Sequence, residues 1–119
     1  MTTSTKRIFF WSLIFLFFFH SFLVFTSGTE KDKGKSFFTN ASEKGKLLFQ
    51  KYNCTACHQL YGLGGYMGPD LTNVISCPGK GKVYAKAFIM GGTQRMPNFQ
   101  MSEEDVNDLV SYLEYVDKT

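Results

Sequence analysis

The sequence is poor in side chains that can hold a metal ion: its 119 residues include three cysteines and two histidines. A structural zinc site needs about four such ligands at characteristic spacings. Cys54, Cys57 and His58 form one cluster, and the two remaining candidates, Cys77 and His20, lie at no such spacing from it. The sequence therefore argues against a zinc site.

Two further absences narrow the function. The chain has no basic stripe interleaved with aromatic residues, so we expect no nucleic-acid partner. Its formal charge is only +3, and from Asn40 onward eight basic side chains balance eight acidic ones. No strand–helix–strand pattern surrounds the two neighbouring cysteines, which argues against a dithiol oxidoreductase.

What is present is the run Cys-Thr-Ala-Cys-His at residues 54–58, the pattern at which c-type haem is attached. Two thiols three residues apart can reach the two vinyl groups of one porphyrin and form thioethers. The histidine directly after the second thiol can then ligate the iron. The motif therefore predicts one covalent haem c, held by Cys54, Cys57 and His58.

The N-terminal part contains an uncharged apolar run, Ile8–Phe25, with eight phenylalanines. As a helix it would be about 27 Å long, close to the thickness of the hydrocarbon core of a bilayer. A cleaved signal peptide is the alternative, but it would have a shorter apolar core and a small-residue cleavage site. We predict an uncleaved transmembrane anchor over residues 1–27. Since haem c is attached outside the cytoplasmic membrane, the haem domain is expected on the extracytoplasmic, periplasmic side.

Beyond the anchor, residues 28–40 are polar and predict a tether, and residues 41–119 predict the haem domain. A core made by about 80 residues is marginal on its own, so the haem is expected to complete it. Between the first and last helices, the sequence predicts one short helix at Val83–Met90 and otherwise loops.

The two main helices of this domain are predicted from their ends. Ser42 is expected to cap a helix that begins at Glu43, and Ser102 to cap the final helix. Gly45 predicts that the two helices approach closely. The apolar stripe of the final helix is Val106, Leu109, Val110, Leu113 and Val116.

A second iron ligand is sought among the four methionines that follow the initiator. Met96 is favoured because Pro97 stiffens the loop that must hold sulfur against iron. Met67, Met90 and Met101 are expected to fill the core. An iron with two protein ligands has no open position for substrate, so electron transfer is favoured over the alternative of a haem peroxidase or ligand sensor.

Taken together, these motifs resemble class I cytochrome c. The resemblance is carried by Gly45-x-x-x-Phe49, Cys54-x-x-Cys57-His58, Gly68-Pro69-x-Leu71, Met96-Pro97-x-Phe99 and Leu109-Val110-x-Tyr112-Leu113. It implies an all-α fold around one covalent haem c. It also implies that His58 and Met96 ligate the iron and that the Pro69 carbonyl contacts the His58 ring.

A closer resemblance is to the membrane-anchored cytochrome of bacterial nitric oxide reductase, a complex of the respiratory chain in denitrification. It is carried by the anchor, Tyr52-Asn53-Cys54, Leu60–Val74 and Arg95-Met96-Pro97. It implies that the chain is no enzyme on its own. It would take electrons from a soluble donor and pass them to a large integral-membrane, haem-containing catalytic subunit. An anchored cytochrome that donates electrons to a terminal oxidase is the alternative.

Basic residues cluster on the segment that leads to Met96, whereas the final helix is acidic. The segment carries Lys80, Lys82, Lys86 and Arg95. Such a division of charge orients encounter complexes. We therefore predict that a soluble donor that docks on this side presents an acidic patch.

Overall fold

A computed structural model of the chain describes residues 2–28 and 34–119. The chain divides into two compact units, Met1–Asp32 and Lys33–Thr119. The first unit contains a single described helix, α1 (Thr3–Ser27). The second contains three α-helices and a short hairpin within its described residues.

Helix α1 is long and apolar enough to cross a membrane, and none of its described side chains is buried within the protein. Thr2 caps its first turn, with the Thr2 hydroxyl accepting the N–H of Thr5. Near the other end, the hydroxyls of Thr26 and Ser27 donate to carbonyls one turn back, at 2.8 and 2.5 Å. These polar groups are therefore satisfied inside the helix, as an apolar surrounding demands.

The second unit is built on helices α2 (Asn40–Lys51), α3 (Lys82–Gly91) and α4 (Glu103–Lys118). Helix α4 packs against both α2 and α3. The all-α fold is confirmed, and α3 extends the predicted short helix by one residue at each end. The core is formed by Phe49, Val74, Ala85, Ile89, Val106, Leu109, Val110 and Leu113.

Helix α2 begins earlier than the sequence suggested. The predicted cap at Ser42 is wrong: Thr39 is the N-cap, and Ser42 is the third helical residue. The Thr39 hydroxyl accepts the Ser42 N–H at 3.2 Å, and the Ser42 hydroxyl accepts the Thr39 N–H at 2.8 Å. This reciprocal capping box satisfies two otherwise unpaired donors, which a cap at Ser42 alone would not.

Helix α4 agrees with the sequence. Ser102 is its N-cap and accepts the Asp105 N–H at 3.1 Å, so the predicted start is confirmed. Its buried residues are the five of the predicted apolar stripe. One apolar face of α4 therefore forms much of the core, and α2 and α3 pack against it.

The predicted close approach at Gly45 is also confirmed. A Cβ atom built there would lie 2.0 Å from the Asp108 carbonyl oxygen and 2.8 Å from Cβ of Tyr112. Only glycine fits between the two backbones. One turn further along α2, the rings of Phe49 and Tyr112 pack with centroids 5.5 Å apart.

A short antiparallel hairpin, β1 (Gln59–Leu60) and β2 (Leu63–Gly64), was not predicted. Its two-residue loop has positive φ at both Tyr61 (53°) and Gly62 (75°), which matches the turn that suits the twist of a hairpin. Strands of two residues leave no alternating pattern in the sequence, and tyrosine seldom adopts positive φ. The hairpin holds the segment that follows His58.

The predicted tether at 28–40 falls partly outside the described residues, at 29–33. Its later part lies against α4: a single 3₁₀ turn, Lys35–Phe37, precedes the ring of Phe38, which packs on Tyr115 with centroids 5.3 Å apart. The Lys118 ammonium lies 5.9 Å from the Phe37 ring. The division into anchor, tether and domain at 28 and 41 stays a prediction.

Candidate haem site

The cysteine motif follows directly from the end of α2. Asn53 adopts a left-handed conformation (φ 51°, ψ 43°), which turns the chain out of the helix. Residues Cys54–Ala56 then form a 3₁₀ turn, and the Cys54 carbonyl accepts the N–H groups of Cys57 at 3.2 Å and His58 at 2.9 Å. This tight turn brings both thiols and the imidazole to the wall of one cavity.

The cavity has a volume of about 520 Å³, and all three helices of the second unit contribute to its wall. All five residues that the sequence predicted for the site line it: Cys54, Cys57, His58, Pro69 and Met96. Most of the remaining wall is apolar. Helices α2, α3 and α4 contribute Phe49, Ala85, Phe88, Ile89, Leu109 and Leu113.

The imidazole of His58 is held in one orientation. Its Nδ1 lies 2.8 Å from the Pro69 carbonyl oxygen. Because a carbonyl can only accept, Nδ1 carries the proton and Nε2 keeps a free lone pair for a metal ion. A Cβ atom at Gly68 would lie 2.4 Å from Cε1 of this ring. Glycine is therefore the residue that lets the loop pass so close to His58.

Met96 lies on a loop between α3 and α4. Its carbonyl accepts the Thr93 N–H at 2.7 Å, and its N–H donates to the Thr93 hydroxyl at 3.0 Å. Gly92 has φ 67°, and a Cβ there would lie 2.9 Å from the Met96 carbonyl oxygen. The tight loop presents a half-buried Met96 side chain to the cavity.

The other three methionines are placed less favourably as ligands. Met90 does not line the cavity and is 48% exposed. Met67 reaches the cavity but is 68% exposed. Met101 also lines the cavity and packs against the core, as a filling residue would. The choice of Met96 stays a prediction.

The thiol chemistry argues against the dithiol alternative. Burial raises the pKa of the Cys54 thiol to about 11, although a backbone hydrogen bond opposes this. A redox-active dithiol depends on a lowered thiol pKa, since the thiolate is the attacking species. Cys54 therefore stays protonated at neutral pH and is poorly suited to disulfide exchange.

Two features of the site were missed by sequence reasoning. Among the described residues that line the cavity, the cations are Lys80 and Arg95, on either side of α3. The other feature is a hydrogen-bonded pair, Asp70 and Thr72, next to Pro69. The spacing Asp-x-Thr is a signal for such a local turn and could have revealed the pair.

Comparison with known proteins decides the family. Residues 40–113 match the family described as cytochrome C oxidase, cbb3-type, subunit III. The chain belongs to this cytochrome c family. The match covers α2, the cysteine motif, α3 and most of α4, which are the elements that surround the cavity.

Curated relatives of this cytochrome include two proteins whose names identify them as the C subunit of nitric oxide reductase. The one from Stutzerimonas stutzeri is 34% identical over 116 residues, covering 87% of this chain and 80% of the relative. The one from Halomonas halodenitrificans is 27% identical over 119 residues, covering 86% and 79%. A cytochrome c-553-like protein of Synechocystis sp. is 31% identical over 72 residues, covering 60% and 66%. Residues 28–119 make up less than 87% of the chain, so the first alignment extends into α1.

The walls of the cavity fit a c-type haem. Imidazole nitrogen and thioether sulfur are the donor set of high-potential cytochromes. The apolar wall suits the porphyrin macrocycle. Because Gly68 passes close to His58, the imidazole ring is held between the Gly68 loop and the cavity. Lys80 and Arg95 are the cations available for the two carboxylates of a haem, which need partners when removed from water.

Proposed function

We propose that this cytochrome is a membrane-anchored electron-transfer protein with one covalent haem c, and that it feeds electrons to a nitric oxide reductase. The observation that carries the proposal is the meeting of Cys54, Cys57, His58 and Met96 on one apolar cavity. The two thiols would attach the haem, and ligation of its iron by both His58 and Met96 would leave no position for a substrate. The chain is then an electron-transfer subunit and has no catalytic activity of its own.

When bound, a c-type haem supplies a one-electron couple between ferrous and ferric iron. The protein's contribution is to hold and tune it. Cys54 and Cys57 would attach it and His58 and Met96 would ligate it, while the Pro69 carbonyl holds the Nδ1 proton of His58 at 2.8 Å. The side chains of α3 and α4 that line the cavity make its wall mostly apolar. A thioether ligand in an apolar site favours a high reduction potential.

The proposed partner is a large membrane-embedded catalytic subunit, and α1 is the segment that would pack against it. The names of the relatives from Stutzerimonas stutzeri and Halomonas halodenitrificans support this assembly. We further propose that the haem domain faces the periplasm, because c-type haem is attached there. A soluble protein would then supply the electrons.

A second candidate is an anchored electron donor within a terminal oxidase. The description of the matching family, subunit III of a cbb3-type cytochrome oxidase, favours it. A peroxidase or ligand sensor is favoured by no feature of the cavity, since Met96 and His58 both line it.

Purification of the full chain from its native membrane separates these functions. A tagged chain should co-purify with a large subunit that contains haem and non-haem iron and reduces nitric oxide. Co-purification with a copper-containing oxidase would favour the second candidate. The ferric spectrum should contain the near-infrared band that reports sulfur ligation of iron. Absence of this band, together with turnover of peroxide, would overturn the proposal.

A further inference from the structure

The hydrogen bond between His58 and Pro69 depends on a second set of contacts. The Pro69 carbonyl belongs to the peptide that joins Pro69 to Asp70, so its direction is set by the conformation of the following residues. Asp70 Oδ1 accepts the backbone N–H of Thr72 at 2.7 Å and the Thr72 hydroxyl at 2.5 Å. These two bonds close a tight turn directly after the carbonyl that holds His58.

The turn is fastened to the segment that follows His58. The Tyr61 N–H donates to the Thr72 hydroxyl oxygen at 2.6 Å, and the Leu71 N–H donates to the Gln59 carbonyl at 2.9 Å. The Thr72 hydroxyl donates to Asp70, so its free lone pairs face the Tyr61 N–H. The result is an ordered relay from Tyr61 through Thr72 to the Asp70 carboxylate, in which each bond strengthens the next.

The side chain of Tyr61 additionally fastens this segment to the end of α4. The Tyr61 hydroxyl donates to the Val116 carbonyl at 2.7 Å and contacts the Thr119 hydroxyl. The hydrogen bonds from the Thr72 hydroxyl and backbone N–H lower the pKa of Asp70, so they favour the charged form of its carboxylate. A charged acceptor makes the stronger bond to Thr72.

We propose that Asp70 and Thr72 are positioning residues that hold the Pro69 carbonyl on the Nδ1 proton of His58 and thereby set the reduction potential. A firm hydrogen bond to Nδ1 makes the imidazole a stronger donor, which stabilises ferric iron and lowers the potential. Loosening the turn weakens this bond and raises the potential. The inference rests on the proposed ligation of haem by His58.

Thr72→Val is the decisive variant, because it removes the hydroxyl and keeps the shape, the backbone N–H and the charge of Asp70. In the full-length haem-loaded protein, exchange of the His58 Nδ1 proton, followed by nitrogen-edited NMR, should accelerate about tenfold, as expected for the loss of one hydrogen bond's net strength. The reduction potential should rise. Thr72→Ser should restore both values to those of the parent chain.

Thr39→Val is the matched control. It also removes a threonine hydroxyl that accepts a backbone N–H, that of Ser42 at 3.2 Å, but Thr39 lies outside the cavity lining and outside the contacts that join Tyr61, Thr72 and Asp70. It should leave proton exchange and potential unchanged. An equal response of the control would show that general loosening is responsible and would overturn the proposal.

The proposal would also be overturned if Thr72→Val changed only the denaturation midpoint, while His58 Nδ1 proton exchange and the reduction potential stayed at the values of the parent chain. If that variant fails to accumulate, Asp70→Ala, which removes the acceptor, should raise exchange and potential more than Asp70→Asn, which keeps an acceptor. Equality of these two variants in exchange contradicts the inference. Failure of the proposed function is recognised separately, because the parent chain would then lack covalent haem or a His58-ligated spectrum.

Discussion

The two sides of the cavity are held in different ways. The histidine side, residues 52–72, is joined by hydrogen bonds between separate segments: Gly65 N–H to the Thr55 carbonyl at 2.8 Å, and Gly68 N–H to the Cys57 carbonyl at 2.7 Å. On the methionine side, residues 80–101, the hydrogen bonds described for the loop around Met96 join residues at most four apart. Ring packing adds a longer contact, with Tyr52 and Phe99 centroids 5.2 Å apart.

The two sides also differ in charge. No charged residue lies between Lys51 and Asp70, whereas the methionine side carries four cations. We therefore expect the histidine side to fix the geometry of the site and the cations of the methionine side to attract charged partners and the carboxylates of a haem. Substitutions on the two sides should therefore affect different properties of the protein.

The largest effect is expected from removing both attachment points on the histidine side. Cys54→Ser combined with Cys57→Ser should abolish covalent haem and the folded domain together, because the apolar cavity would lose the group that fills it. Circular dichroism and a haem stain after denaturing electrophoresis measure the two losses. Cys77→Ser, a cysteine outside the cavity lining, should retain haem and fold. Recovery of a well-folded protein without haem would contradict this prediction.

On the methionine side, Met96→Ala should leave the haem attached while the potential falls and a coordination position opens. Potentiometric titration and the binding of added imidazole measure the two effects. Met90→Ala is the control, since Met90 does not line the cavity. An unchanged potential in Met96→Ala would move ligation to Met67 or Met101.

Two glycines test how tightly each side is packed. At Gly68 an added Cβ would lie 2.4 Å from the His58 ring, whereas at Gly91 the space within 4 Å is empty. Gly68→Ala should cost about 1–3 kcal/mol of unfolding free energy, the usual range for overpacking, and should disturb the spectrum of the His58-ligated iron. Gly91→Ala should be neutral or stabilising by up to about 1 kcal/mol. Chemical denaturation with parallel spectra distinguishes the two, and equal responses would remove the contrast between these two positions.

The smallest effect concerns donor docking. Lys86→Glu should slow electron entry several-fold at low salt and less at high salt, because screening weakens steering. Lys82→Gln should change the rate less, since the Lys82 ammonium already pairs with Glu114 at 2.7 Å. Lys44→Glu, on α2, is the control. Stopped-flow reduction by the soluble donor measures all three, and rates insensitive to charge and salt would place docking elsewhere.

The features that could be predicted from the sequence are those that residues close together in the chain determine. The apolar stripe of α4 and its cap at Ser102 follow from spacing within one helix. The haem motif is equally local, because one 3₁₀ turn places its three side chains. The start of α2 was misplaced because Thr39 and Ser42 are both good caps and the structure uses them together.

The remaining features depend on contacts between distant residues. The pairing of Lys82 with Glu114 joins positions 32 apart and exists only because α3 lies beside α4. Of the four basic residues that the sequence grouped on this segment, Lys82 is therefore paired with an acidic side chain of α4. Lys80 precedes α3 and Arg95 follows it. Both reach the cavity wall only because the segments on either side of α3 turn toward the cavity. Spacing along the chain does not encode such proximity.

The uncharged stretch on the histidine side has a consequence for the cost of moving an electron. When the charge in the cavity changes by one unit, flexible ionic side chains nearby would have to rearrange, and that rearrangement slows transfer. Between Lys51 and Asp70 the chain offers instead backbone amides that are already fixed by hydrogen bonds. Dipoles fixed in advance need no reorganisation at the moment of transfer. We therefore expect the hydrogen-bonded loops around His58 to contribute little to the reorganisation energy of electron transfer.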